Sequence, residues 1–96
     1  MNPAPSPMHY VYLLKSLNKS KWMYVGITSN LKNRLEEHNS AKSIYTSKYL
    51  PVELVYYEAY RSLVDAENRE KSLKNHGNSL GLLKKRIVNC LEEGAG

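Results

Sequence analysis

Apolar side chains recur along this chain with two different periods. Tyr10-Val11-Tyr12-Leu13-Leu14 and Trp22-Met23-Tyr24-Val25-Gly26-Ile27 are short runs rich in aromatic and β-branched residues, and the polar stretch Leu17-Asn18-Lys19-Ser20-Lys21 lies between them. That pattern predicts strands over 9–15 and 22–27 joined as a hairpin, with a third strand over 52–60. Elsewhere the period lengthens. Leu31 and Leu35 stand four apart behind the capping residues Thr28-Ser29-Asn30, predicting a helix over about 31–40. Ser62, with Asp65 at the capping-box position, opens a second helix reaching about residue 75, and His76-Gly77 ends it. Asn78-Ser79 opens a last helix, about 80–92, with Leu80, Leu83, Ile87 and Leu91 at core spacing. Residues 41–51 keep no consistent period and read as a loop, in which Ile44-Tyr45-Thr46 forms a short extended or helical piece. The order strand, strand, helix, strand, helix, helix predicts an α+β domain: a three-stranded antiparallel sheet flanked by about three helices. Residues 1–8, with three prolines between Asn2 and Pro7, read as a flexible tail, 9–92 as one domain, and 93–96 as a fraying end.

Size restricts what such a domain can do. At 96 residues it buries only about 60–65% of its unfolded surface, which leaves no room for a second catalytic domain or a large lid. The net charge is +5 and unevenly placed: residues 8–50 hold seven basic side chains against two acids, residues 51–96 seven of each. The surplus therefore sits in the half with the hairpin, which favours a polyanionic partner, nucleic acid being the commonest; the competing reading is a scatter of solvated lysines. One cysteine, Cys90, excludes an internal disulfide and any zinc site built of cysteine pairs. Its setting among Ile87, Val88 and Leu91 predicts a packed small hydrophobe, and a single thiol fits a reducing cytoplasm. No stretch approaches the ~20 apolar residues of a membrane span. Eight tyrosines and no phenylalanine predict a sheet with polar edges and a shallow site, because each buried hydroxyl needs a partner.

Candidate chemistry gathers on the hairpin and the helix after it. Arg34 and His38 are four apart and share a helix stripe beside the apolar one. With Tyr12 and Tyr24 they would bring a guanidinium, an imidazole and two hydroxyls to one patch suited to a phosphate. Gly26, lacking a Cβ, would let a substrate backbone approach there. Each residue also has a plain structural reading. The tyrosines could be a cross-strand aromatic pair, Arg34 could pair with Glu36 or Glu37, and His38 could favour a helix C-terminus.

Tyr10-Val11-Tyr12, then Tyr24-Val25-Gly26, then Arg34 and His38, with the helix Ala66-Glu67-Asn68-Arg69-Glu70-Lys71-Ser72-Leu73-Lys74, resemble the GIY-YIG nuclease domain. The resemblance spans residues 9–88. It is nearest the small stand-alone bacterial members related to the catalytic module of the excision-repair nuclease subunit, which brings DNA repair into view. Tyr-Val-Tyr replaces the eponymous Gly-Ile-Tyr, and valine holds the middle of the second triplet; Tyr12 itself is kept.

The resemblance implies a phosphodiesterase with one divalent metal, Mg²⁺ or Mn²⁺, on one carboxylate. Glu70 takes that role, Glu67 being a rival one turn earlier. Mg²⁺ keeps much of its water, so a single carboxylate suffices with substrate oxygens. Tyr12 would be the general base. A free phenol with pKa near 10 needs nearby positive charge to lower that value, or a proton passed on during attack, and His38 could help. Tyr24 would orient water or phosphate, Arg34 would hold the phosphate, and Lys74 would sit beside phosphate or carboxylate. Without the resemblance, Glu70 and Lys74 are an ordinary i,i+4 ion pair.

The loop residues Lys42, Tyr45 and Lys48 mix cations with an aromatic ring and suit backbone contact and base stacking. DNA is favoured over RNA, sequence specificity should be low, and a partner protein or homodimer could deliver the substrate. Two other classes compete: a nucleic-acid-binding module with little turnover, and a protein-interaction domain.

Overall fold

A computed structural model describes residues 7–19, 21–44, 46–75 and 77–92; the outermost parts of the expected tails (1–6 and 93–96), Tyr45 and His76 lie outside these. The elements are β1 (His9–Ser16), β2 (Met23–Thr28), α1 (Leu31–Asn39), a 3₁₀ turn at Ser47–Tyr49, β3 (Val52–Tyr60), α2 (Leu63–Lys74), α3 (Ser79–Arg86) and α4 (Val88–Glu92). The three strands form one antiparallel sheet in the order β2-β1-β3. The architecture is the expected α+β one, with four helices among the described residues instead of about three. The predicted 80–92 helix breaks at Ile87, whose backbone leaves helical geometry (φ −117°, ψ 29°).

β1, the central strand, separates two apolar layers. Its odd positions Val11 and Leu13 join Val25, Ala66, Leu73, Leu83 and Ile87 beneath α2 and α3. Its even positions Tyr12 and Leu14 join Val52, flanked by Leu31 and Leu35 of α1, as the period of two requires. The restart at Ile87 resets the helical phase. Ile87 stays buried and Leu91 packs on the core, but Cys90 is exposed. The expectation of a packed thiol is thus wrong, because a single helical period does not run through 80–92.

A β-bulge in β3 decides which residues flank the site. Leu14 pairs with Leu54 but Leu13 with Tyr56, leaving Val55 extra. An inserted residue inverts the alternation beyond it. Val52 and Leu54 therefore share the Tyr12 face, whereas after the bulge it is Tyr57 that lies opposite Tyr12 while Tyr56 and Tyr60 pack towards α2.

Local caps set the helix starts. Asn30 accepts the Asn33 N–H through its side chain (3.1 Å) and Ser62 the Asp65 N–H (3.3 Å), each satisfying a free N-terminal donor. α1 ends in a Schellman turn: the Ala41 N–H donates to His38 O (3.1 Å) and the Lys42 N–H to Glu37 O (3.0 Å). Ala41 takes the left-handed conformation (φ 62°) that glycine usually fills there. The reversal brings the loop back over α1.

Candidate active site

Tyr12 is 2% exposed, and its oxygen is the hub of the polar layer. The Arg34 Nε–H donates to it (3.3 Å), and His38 Nε2 lies 2.9 Å away. His38, with no exposure of its own, has Nδ1 2.8 Å from the Thr46 hydroxyl. Arginine has no acceptor, so the Tyr12 oxygen must accept from Arg34, and its own proton is directed to Nε2. With the phenol proton assigned to Nε2, His38 is the Nδ1–H tautomer and donates to Thr46. The i,i+4 spacing on α1 places Arg34 and His38 around one phenol.

Gly26 has a different purpose from the one expected. It is the Cα partner of Tyr12, and a Cβ there would fall well inside van der Waals distance of Tyr12 Cζ and Oη. The space above the glycine holds the phenol rather than a substrate backbone. Tyr12 thus leans across β2, an edge strand, and presents its oxygen at the rim of the sheet.

α2 packs on the opposite face through Ala66 and Leu73, yet its polar side chains come round that rim. Lys74 Nζ lies 3.1 Å from Glu70 Oε2 and 5.7 Å from the centroid of the Tyr24 ring. Tyr24 in turn lies 6.2 Å from the Tyr12 ring and 5.4 Å from His38. Tyr12, Tyr24, Arg34, His38, Glu70 and Lys74 therefore converge.

Electrostatics correct the expected route to a base. Burial pushes the Tyr12 phenol up to about 12; the Arg34 hydrogen bond opposes this, and the charges of Tyr24 and Glu70 add to it. Burial, then the Arg34 charge, hold His38 below its ordinary value of 6.5. At neutral pH the phenol is protonated and the imidazole uncharged, so His38 acts as an acceptor and not as the neighbouring positive charge. Arg34 stays charged, favoured first by Tyr12. Its Nη1 lies 3.8 Å from Glu37, a weak half-exposed contact.

Other expectations fare differently. Lys42 and Lys48 are exposed. Lys42 shares a polar hollow with Asn33, Glu36, Glu37 and Ser40, and nothing ties either lysine to Tyr12. Tyr45 lies outside the described residues. In the same loop Tyr49 is already stacked on Trp22 at 4.0 Å. Thr46, which sequence reasoning passed over, is fully buried against His38. Its one signal was a hydroxyl in a loop otherwise suited to solvent.

The GIY-YIG catalytic domain model matches residues 8–86. The chain belongs to the GIY-YIG family. Its relatives include UPF0213 proteins of Clostridium perfringens (40% identical over 68 residues, 70% of this chain and 71% of the relative), Staphylococcus haemolyticus (40% over 67, 69% and 79%) and Syntrophus aciditrophicus (41% over 68, 69% and 76%). No solved structure matches the chain at a significant level. Both triplets that resemble the family's, Tyr10-Val11-Tyr12 and Tyr24-Val25-Gly26, lie within the matched span, and the register of β1 on β2 sets Gly26 opposite Tyr12.

The donor set suits a hard cation that retains its water. Among the described residues no group of three or more His, Cys, Asp or Glu could enclose a metal, and Glu70 is the carboxylate at the rim beside Tyr12. One carboxylate, water and phosphate oxygens meet what Mg²⁺ requires. No helix among the described residues is long and apolar enough to cross a membrane.

Proposed function

We propose that the protein is a divalent-metal-dependent endonuclease that hydrolyses phosphodiester bonds in DNA with little sequence preference. The observation that carries this reading is the Tyr12 oxygen, held between Arg34 Nε and His38 Nε2 at the rim where Glu70 and Lys74 arrive. Arg34 binds a non-bridging phosphate oxygen with its remaining donors, which form a planar fork. Glu70 would hold Mg²⁺ or Mn²⁺, which supplies charge neutralisation at the phosphate and the leaving oxygen. Lys74 then exchanges its contact with Glu70 for the phosphate, and Tyr24 orients phosphate or water.

Tyr12 works as a relay. As water attacks phosphorus, one of its protons passes to the Tyr12 oxygen and the Tyr12 proton passes to His38 Nε2. The bond to the leaving oxygen breaks, solvent protonates that oxygen, and His38 returns its proton through Tyr12. A phenol at about 12 is too weakly acidic to stand ionised at neutral pH, so concerted transfer to a neutral imidazole takes the place of a preformed phenolate. Thr46 accepts from Nδ1–H and holds the ring in the required tautomer. A basic chain with one thiol suits a reducing cytoplasm, and residues 9–92 act as one unit. The small footprint favours delivery by a partner protein or a second copy.

The test is a cleavage screen over single strands, duplexes, flaps and branched DNA with Mg²⁺ or Mn²⁺. Cleavage that needs the metal and is lost in Tyr12→Phe and Glu70→Ala is expected. If both variants cut like the parent chain, the assignment fails; binding without cutting by the parent chain points to the binding-module alternative.

A further inference from the structure

The Tyr12 face of the sheet is only partly covered. α1 crosses it obliquely, from the end of β2 at Thr28 to the start of β3, where Asn39 Oδ1 accepts the Val52 N–H (3.1 Å). The far end of β3 stays open on this face. Tyr57, moved there by the bulge, is 51% exposed, and Ala59 two residues on is exposed as well. Tyr57 is the Cα partner of Tyr12. Tyr10, two residues before Tyr12 on β1, meets the Tyr57 ring edge to face at 5.7 Å (70°). The two rings form a small aromatic shelf beside the strand that carries Tyr12.

We propose that this shelf seats an unpaired nucleobase next to the phosphate held at Arg34, which makes single-stranded or splayed DNA the preferred substrate. The inference rests on the phosphodiesterase reading and narrows its substrate class. Tyr12 leans toward β2, and Tyr57 lies on the opposite side of β1. With strands about 4.8 Å apart, the shelf lies about two strand spacings, ~10 Å, from the phenol oxygen, within reach of a neighbouring nucleotide. An exposed phenol ring takes any base by its π-face. A base inside a duplex has both faces covered by its neighbours, so only an unstacked one can use the shelf. On the other side of the site a ring face is already taken: Trp22 stacks on Tyr49 at 4.0 Å and lies 6.3 Å from Tyr24. The surplus of basic residues in the β1–α1 half supplies the attraction for the backbone that a stacking contact lacks.

Fluorescence anisotropy in EDTA, with a labelled single strand of about 15 nucleotides and its blunt duplex, tests the shelf without cleavage. Tyr57→Thr keeps a β-forming residue but no ring; Tyr57→Phe keeps the ring. Tyr57→Thr is expected to weaken single-strand binding about fivefold or more, with duplex binding and the salt slope unchanged, and Tyr57→Phe to bind within about twofold of the parent chain. Equal single-strand affinity in Tyr57→Thr and the parent overturns the shelf, as does equal loss on duplex and single strand, or an absence of single-strand binding by the parent chain. Cleavage assays separate the two levels. A parent chain that cuts, with Tyr57→Thr binding and cutting single strands equally well, loses the shelf alone. Ring-dependent binding without any cutting leaves the shelf standing and removes the nuclease reading.

Discussion

Two clusters in this protein each combine tyrosine with arginine, and they differ in one component. On the α2 side Glu58 accepts from Tyr56 (2.8 Å), from Tyr60 (2.5 Å) and, in a bidentate pair, from Arg69 Nε (2.9 Å) and Nη2 (2.9 Å). On the α1 side Tyr12 meets Arg34 and His38, with no carboxylate in contact with the phenol. Tyr60 and Tyr12 are both pushed up to about 12, chiefly by burial; the next influence is the Glu58 hydrogen bond at Tyr60, which adds to the rise, and the Arg34 hydrogen bond at Tyr12, which opposes it. A guanidinium already saturated by a carboxylate anchors a helix to a strand. Arg34, engaged by the Tyr12 and Tyr24 phenols and by a long contact with Glu37, keeps donors for an incoming anion. Proximity of tyrosine to arginine does not by itself mark a site; the two clusters differ in a carboxylate at hydrogen-bonding distance, 2.9 Å from Arg69 but 3.8 Å from Arg34.

The sharpest way to break this contrast is to remove one group from each cluster. In the α1 cluster, Tyr12→Phe and Glu70→Ala are each expected to lower the cleavage rate by about 10²–10⁴-fold, read by single-turnover nicking, while affinity for uncut DNA changes little. Gly26→Ala should follow closely. The new methyl displaces the phenol from His38, and a shift of about 1 Å can cost about 10²-fold. Equal activity in Gly26→Ala would show that the phenol's position over the glycine is not used.

In the α2 cluster the expected loss is of stability. Glu58→Ala leaves two hydroxyls and Arg69 without their acceptor and should cost about 2–3 kcal/mol in urea unfolding. That corresponds to a thermal midpoint drop of roughly 8–24 °C, at roughly 4–8 °C per kcal/mol. The folded fraction of the variant should still cleave.

Acid separates the clusters a second way. Burial alone would raise the Glu58 carboxyl, but the hydrogen bonds from Arg69, Tyr60 and Tyr56 outweigh it and hold the group below its ordinary 4.5. Its stabilisation is therefore full above that value and is lost as pH falls through the depressed folded value; Glu58→Gln should flatten this limb of a stability–pH curve. His38 is also depressed, from 6.5. Some stability is lost below about 6.5 as the unfolded chain takes up a proton the folded one refuses. Cleavage should persist below 6.5 and decline only as His38 itself protonates and can no longer accept from Tyr12. Thr46→Val, which leaves Nδ1–H without an acceptor, is a smaller perturbation, with an expected rate loss of about tenfold, close to the 1.4 kcal/mol of a modest hydrogen bond. The smallest effect belongs to exposed Cys90: Cys90→Ser should stay within about 0.5 kcal/mol.

Period, caps and motif spacing made the strands, α1 and α2 legible in the residues alone, because each is a local property of the backbone. The same holds for the pairing of Arg34 with His38 on one stripe, and for family membership. Three matters depended on contacts distant in sequence. The bulge at Val55 chose Tyr57 over Tyr56 for the site face and sent Glu58 to Arg69, and no local period reveals where one strand slips against another. Thr46 became a partner of His38 only through the Schellman reversal after α1. Burial, a collective property of the packed chain, determined that Tyr12 is held as a neutral phenol and His38 as a neutral acceptor, and that Gly26 makes room for a side chain of the protein's own.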